Sequence, residues 1–186
     1  MDKQLIKLAK ATLLILDKKS WDSIELDEIY KKFKINKKNL HKKITNKLDL
    51  LRNINRYFDL QLRKASDNID QSNHKDMIFE VIMMRFDIFQ DYRKSIINVF
   101  DFLKRRPQEL VSLLPSFVES IIVMANLAKI PINGLKGNIK IKGLLIVYLL
   151  SFLVWKKDKS KSLEKTMTSL DKSLDRAGKL ISIFNK

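Results

Sequence analysis

The chain has 186 residues, 45% of them hydrophobic and 31% charged, which is the composition of a folded soluble protein with one compact domain or two small ones. It contains no cysteine, which excludes disulfide bonds, thiolate catalysis and thiolate metal ligands. Its 4 glycines and 3 prolines are too few for a β fold with many turns and favour long helices. Residues 1–10 are amphipathic and interrupted by lysines, unlike the apolar core of a signal peptide, so we expect a cytoplasmic protein.

The net charge of +16 predicts a polyanionic partner, either nucleic acid or an anionic membrane. Lysine dominates the basic residues, and isoleucine and asparagine are abundant, so a bias toward AT-rich codons explains part of this total. The distribution is more informative. Residues 1–64 carry 17 Lys and Arg against 8 Asp and Glu, whereas the rest of the chain carries 20 against 13. The net positive charge per residue is therefore highest in the first third of the chain, and this part is the candidate site for a polyanion.

Apolar residues at helical spacing predict four helices in this first third. The first covers residues 5–16 with Asp2 as its N-cap, and the second is short and covers residues 24–33. A third short helix runs from about residue 37 to residue 43, with Asn36 as a suitable N-cap. A fourth starts near Asn46.

Residues 65–74 form the most polar stretch of the chain, and we place a boundary there. It separates a domain of residues 1–64 from a domain of residues 75–186. Further helices are predicted over residues 77–92, 94–105, 108–128, 139–155 and 162–184, with a loop at 129–137. Pro107 suits a helix start, and Pro115 predicts a kink. The fold class is all-α with about nine helices.

The segment between Tyr30 and Leu48 has the strongest functional signal. It contains eight lysines and no acidic residue. The lysines are at positions 31, 32, 34, 37, 38, 42, 43 and 47. The apolar residues Phe33, Ile35, Leu40 and Ile44 have the spacing of two short helices joined by a tight turn. A recognition helix needs this arrangement, because one face anchors in the core while the other offers donors to DNA.

Residues 5–51 resemble the DNA-binding part of the TetR family. The matching positions are Leu26 and Ile29 in the first helix of the motif, Ile35 and Asn36 at the turn, and Leu40, His41, Ile44, Lys47, Leu50 and Leu51 after it. Three positions depart from the family pattern: Lys34 stands at the usual turn glycine, His41 at the usual tyrosine and Ile44 at the usual phenylalanine. A positive φ at Lys34 would cost about 1 kcal/mol.

The resemblance implies a TetR-like DNA-binding regulator that contacts double-stranded DNA. Lys37, Lys38 and Asn39 would face base edges, and Lys42 and Lys43 the groove or its phosphates. His41 would position a phosphate through its ring N–H, and Lys47 would bind another together with free backbone N–H groups at the helix start. The alternative is a solvated basic face on a helix-turn-helix that does not bind DNA.

The family joins this part to a helical domain that binds a ligand and dimerises. Leu163, Met167, Leu170, Leu174 and Ile181 follow a heptad pattern, and the apolar helix before them contains Leu144 and Val147. These seven residues are predicted to form a homodimer interface, with packing inside one chain as the alternative. A pocket for a small apolar ligand is predicted among Met83, Phe86, Phe100, Leu114, Phe117 and Tyr148, with plain core as the alternative.

The predicted function is a repressor released by a small apolar effector. The C-terminal part also resembles the lipid-binding accessory proteins of ubiquinone biosynthesis, which have a TetR-like fold, and this is the alternative function. The apolar run 144–155 is too short to span a membrane, so a buried helix is expected, with peripheral membrane contact only in the alternative. No catalytic, metal or cofactor motif is present in the sequence, and we expect no enzyme.

Overall fold

The structure is a computed structural model that describes residues 1–37, 40, 42–68 and 73–183, with side chains for all of these except 68 and 180–183. Within these ranges the chain forms eight α-helices and no strand, which confirms the predicted all-helical class. The helices are α1 (Lys3–Leu16), α2 (Leu26–Lys32), α3 (Lys47–Ala65), α4 (His74–Gln90), α5 (Arg93–Arg105), α6 (Pro107–Leu127), α7 (Gly134–Trp155) and α8 (Glu164–Ile183). The predicted short helix at 37–43 falls partly outside the described residues.

The helix starts follow from local chemistry. The Asp2 carboxylate accepts a hydrogen bond of 2.8 Å from the Gln4 N–H and caps α1 as predicted. Helix α6 begins at Pro107, where a missing N–H costs nothing, and it continues through Pro115. At its other end α6 stops at a left-handed residue, Lys129, with a φ of 55°.

Packing divides the chain into two units. Unit 1 consists of Met1–Gln61 and Ile88–Phe117, and unit 2 consists of Leu62–Asp87 and the chain from Val118 onward. Residues 88–117 therefore pack with the N-terminal helices, a grouping that the sequence analysis did not make. The functional division into residues 1–64 and 75–186 stays a prediction.

Asn98 and Ser95 explain why α5 packs in unit 1. The Asn98 amide donates to the backbone oxygens of Leu16 (3.0 Å) and Lys19 (2.6 Å), and its oxygen accepts from the Trp21 N–H (3.0 Å). The Ser95 hydroxyl donates to the Leu13 oxygen at 2.7 Å. These contacts tie α5 to backbone groups in the last turn of α1 and in the chain that follows it.

Unit 2 contains the helical hairpin of α7 and α8. Asp158, which is 1% exposed, lies in its turn and accepts hydrogen bonds from the backbone and hydroxyl groups of both Ser160 and Thr166, at 2.6–3.1 Å. Burial alone would raise the pKa of Asp158, but these hydrogen bonds outweigh it and hold the pKa well below its usual range. Lys75 of α4 also contacts α8 through Asp171 (2.8 Å) and Asp175 (2.6 Å).

Helix α7 begins at Gly134, although the sequence analysis predicted a loop through residue 137. The two glycines suggested a loop, but Gly137 lies in the first helical turn. Any Cβ at Gly137 would overlap the Ile132 carbonyl, so glycine is required there for the close approach of the chain to itself.

The two faces of α7 differ in burial. Leu144, Val147, Tyr148, Ser151 and Trp155 are buried. The opposite face is apolar but exposed, and its members include Leu135 (84% exposed), Ile146 (59%) and Leu150 (50%). By length and composition alone, α6 and α7 could each cross a membrane. The expectation of a helix buried on all sides is therefore not met within one chain.

Candidate nucleic-acid interface

The turn after α2 has the backbone geometry of a Schellman motif. Lys34 adopts a φ of 48°, so the left-handed residue expected at the family's turn glycine is present here as a lysine. The Ile35 N–H donates to the Tyr30 oxygen (3.0 Å), and the Lys34 N–H donates to the Lys31 oxygen (3.3 Å). Ile35 and Tyr30, the two positions that usually make an apolar contact in this motif, are both buried.

The chain after this turn anchors in the core of unit 1. Leu40 is 0% exposed and Ile44 is 6% exposed, as the apolar spacing predicted. The Leu40 N–H donates to the Lys37 oxygen (3.0 Å) and the Ile44 N–H to the Leu40 oxygen (2.9 Å), which is helical spacing. Lys38, Asn39 and His41 lie outside the described residues, so their predicted DNA contacts stay predictions.

The described lysines of this segment face solvent. Lys42 and Lys43 are exposed, and the Lys43 ammonium lies 3.8 Å from the Asp2 carboxylate. Lys37 is 64% exposed, and its ammonium donates to the Asp27 carboxylate at 2.7 Å. This hydrogen bond raises the pKa of Lys37 and lowers the pKa of Asp27, so both are ionised at neutral pH. All three side chains are exposed to solvent, and those of Lys37 and Lys43 lie beside carboxylates.

Lys47 has a different environment. Its ammonium donates to the Asp22 backbone oxygen at 3.1 Å and lies 5.2 Å from the centre of the Trp21 ring. Burial lowers the pKa of Lys47, although Asp22 opposes this effect. A cation packed on an aromatic face holds two chain segments together. Lys47 is therefore placed to fix the Trp21–Ser23 turn against the start of α3.

The start of α3 is already capped. The Asp49 carboxylate accepts hydrogen bonds from the N–H groups of Thr45 (2.8 Å) and Asn46 (3.1 Å), and the Asn46 side chain accepts from the Asp49 N–H (3.0 Å). The expectation of free N–H groups for a phosphate beside Lys47 is corrected at these positions, because an acidic side chain uses them. The spacing Asn46-x-x-Asp49 resembles a capping box and could have been recognised in the sequence.

A cavity of about 570 Å³ opens between α2 and the segment that follows the turn. Glu25, Asp27, Lys37 and Lys47 contribute charged groups to it, and Ile44 is among its apolar residues. The space lies beside the exposed ammonium group of Lys37. An approaching anion therefore meets two lysines at this site, but it also meets the carboxylates of Glu25 and Asp27.

The six residues of the predicted ligand pocket divide between the two units. Phe100, Leu114 and Phe117 belong to unit 1, and Met83, Phe86 and Tyr148 belong to unit 2. Leu114 is 37% exposed. Their assignment to one pocket stays a prediction.

Within unit 2 the structure joins Phe86 and Tyr148, whose rings stack with centroids 5.6 Å apart. It also adds Arg85, which the sequence analysis did not assign to this site. Arg85 is 1% exposed and donates to the hydroxyls of Tyr148 (3.1 Å) and Ser120 (3.3 Å). A lone arginine within the apolar run of α4 was the available signal.

Most residues of the predicted dimer seam are buried inside one chain. The buried ones are Leu144, Val147, Leu163, Leu170 and Leu174, each at most 9% exposed. Met167 is 40% exposed, and the side chain of Ile181 lies outside the described residues. The buried residues of the α8 seam contribute to packing within unit 2, and their part in a homodimer interface stays a prediction. In the described ranges, no three His, Asp or Glu side chains come together as a metal site.

Two solved structures share the architecture of nearly the whole chain. The TetR transcriptional regulator from Nitrosomonas europaea ATCC 19718 gives a TM-score of 0.73 at 15% sequence identity, over 95% of this chain and 99% of that one. A TetR transcriptional regulator from Rhodococcus sp. RHA1 gives a TM-score of 0.61 at 11% identity, over 94% of each chain. The sequence matches no protein-family profile and no curated protein. The chain therefore has the TetR-like fold that its helix-turn-helix pattern predicted.

Proposed function

We propose that this chain is a DNA-binding transcriptional regulator of the TetR type that acts as a homodimer. The observation that carries the proposal is the lysine-rich segment after α2. Its apolar residues Leu40 and Ile44 are buried, while Lys37, Lys42 and Lys43 face solvent. The likeness of the fold to two TetR regulators over nearly their full length supports the same conclusion.

The exposed face of α7 supports the dimer. Positions 135, 139, 142, 146, 149 and 153 alternate spacings of four and three, which is a heptad seam. Five of the six are apolar, and Lys142 is the exception. Because a heptad seam of exposed leucine and isoleucine needs a partner helix, we assign this face to a second copy of the chain. In this proposal the exposed face of α7 forms the dimer interface, in place of most of the interface residues predicted from the sequence.

Unit 2 would bind the effector in this proposal. Phe86, Tyr148 and Trp155 form an aromatic stack. The centroid of the Phe86 ring lies 5.6 Å from that of Tyr148 and 6.1 Å from that of Trp155. A small apolar effector that separates such rings would favour a different packing of unit 2 and release the repressor from DNA. The lipid-accessory alternative gains no support from the two structural neighbours.

The deciding experiment measures binding of the purified protein to the DNA upstream of its own gene, with non-specific competitor and across a salt series. The test variant is Lys42→Ala with Lys43→Ala. The control is Lys157→Ala with Lys159→Ala, which removes the same charge from exposed positions in the turn after α7. We expect a complex that survives competitor, an affinity at least tenfold lower in the test variant, and a salt slope reduced by about 2.

Equal losses in the two double variants would contradict the proposal, because they would show that the lysines act only as a diffuse charge field. Binding that disappears at modest salt without any preference for sequence would contradict it as well.

A further inference from the structure

The ion pair between Lys37 and Asp27 links the two halves of the helix-turn-helix. Asp27 lies in the first turn of α2, and Lys37 opens the segment proposed to contact DNA. Their charged atoms are 2.7 Å apart, and each side chain is 64% exposed. Between Tyr30 and Leu48 the sequence has no acidic residue, so this carboxylate reaches the lysine-rich segment from outside it.

We propose that Asp27 competes with DNA for Lys37: it occupies the Lys37 ammonium in the free protein and weakens binding to any DNA backbone. The proposal rests on the proposed function. The Asp27 carboxylate already neutralises part of the single positive charge of Lys37, so a phosphate that engages the ammonium must compete with Asp27 for it.

The contact is suited to such an exchange. Exposed ion pairs contribute little net stability, so a phosphate can displace the carboxylate without disrupting the fold. The cavity beside the pair gives the long Lys37 side chain room to turn toward an external anion. The arrangement lowers the backbone contribution that specific and non-specific binding share, so it weakens retention on non-specific DNA without changing the ratio of the two affinities.

The neighbouring residue provides a matched control. Glu28 follows Asp27 in the same helical turn and also forms an ion pair, with Lys19 at 2.6 Å. Lys19 lies outside the lysine-rich segment. Asp27→Asn and Glu28→Gln thus remove the same charge from adjacent positions and release one lysine each, but only the first releases Lys37.

The test measures the affinity of the full-length protein for a duplex of its upstream DNA and for a scrambled duplex, across a salt series. For Asp27→Asn we expect an affinity about three to ten times higher on both duplexes and a salt slope steeper by about 1, since one more lysine becomes free to contact phosphate. For Glu28→Gln we expect less than a twofold change. In a Lys37→Ala background, Asp27→Asn should have no more effect than Glu28→Gln.

Equal gains from the two single variants would overturn the inference, as would a gain from Asp27→Asn that persists without Lys37. Either result leaves the proposed function intact, because wild-type binding is measured in the same series. If neither the wild type nor Asp27→Asn binds DNA, the proposed function and the inference fail together. Thermal unfolding of each variant identifies any loss of fold.

Discussion

The helix-turn-helix that starts at α2 and the helical hairpin of α7 and α8 place their apolar side chains differently. In the first, apolar residues such as Leu40 and Ile44 point inward and the outward face is lysine-rich. In the second, α7 is apolar on both faces, and one of them stays exposed in the single chain. Apolar spacing therefore identifies a buried face, but only the opposite face shows whether the next partner is an anion or another apolar helix.

The turn between α7 and α8 depends on a buried carboxylate, Asp158, which provides the strongest test. Replacing it by alanine leaves the donors of Ser160 and Thr166 without their acceptor, and we expect a loss of about 3 kcal/mol in the free energy of unfolding. Urea denaturation measures this loss. Asp171→Ala, which removes an exposed carboxylate paired with Lys75, should cost less than about 0.5 kcal/mol.

The pH dependence of the Asp158 effect follows from the sign of its pKa shift. Because the folded-state pKa lies below the unfolded one, the stabilisation by Asp158 is complete above the usual Asp pKa of about 3.9 and is lost as the pH falls toward the folded-state pKa. The stability difference between wild type and Asp158→Ala should therefore be constant near neutral pH and shrink below about pH 4. A difference that grows on acidification would contradict this account of the turn.

The exposed face of α7 can be disrupted without touching its buried face. Ile146→Asp combined with Leu153→Asp should raise the dimer dissociation constant at least about a hundredfold, because charges would enter an apolar seam. Sedimentation equilibrium measures this constant. Val111→Asp, at a residue of α6 that is 61% exposed, makes the same kind of change elsewhere and should leave the oligomeric state unchanged. A monomeric wild type would show that the face has another partner.

The first turn of α7 depends on Gly137. Gly137→Ala should lower the free energy of unfolding by about 2 kcal/mol, because the new methyl group overlaps the Ile132 carbonyl unless the turn unwinds. Gly143→Ala is the matched control in the same helix, where an added Cβ meets nothing within 4 Å. It should stabilise the protein by about 0.5–1 kcal/mol through the higher helix propensity of alanine. Equal changes in the free energy of unfolding for the two substitutions would show that overlap with the Ile132 carbonyl does not determine the effect at Gly137.

The sequence was sufficient to predict most helices and the inward-facing residues of the helix-turn-helix, because local periodicity determines both. It did not identify Asn98, whose partners Leu16 and Lys19 are about eighty positions away along the chain. It also could not assign the seam of α8 to one chain or two, since the same spacing of Leu163 and Leu170 suits either partner. Contacts of this kind depend on tertiary packing, which spacing alone does not encode.

The turn after α2 and the turn before α8 share a backbone conformation, but their stability should respond oppositely to a glycine substitution. Lys34 and Leu163 have φ values of 48° and 54°, in the left-handed region that is costly for residues with a Cβ. Lys34 is exposed, so Lys34→Gly should raise the free energy of unfolding by about 1 kcal/mol. Leu163 is 1% exposed, so Leu163→Gly should lower it by about 2 kcal/mol, because the lost apolar burial exceeds the relief of strain.

Lys34→Ala separates the effect of the lysine charge on stability from the effect of its Cβ. It removes the charge but keeps the Cβ, so the left-handed conformation stays costly and the stability should remain close to that of the wild type. Urea midpoints of the three variants, measured at one salt concentration, provide the comparison. If Lys34→Ala stabilises the protein as much as Lys34→Gly, the gain comes from reduced repulsion among the neighbouring lysines, and the turn at Lys34 is not strained.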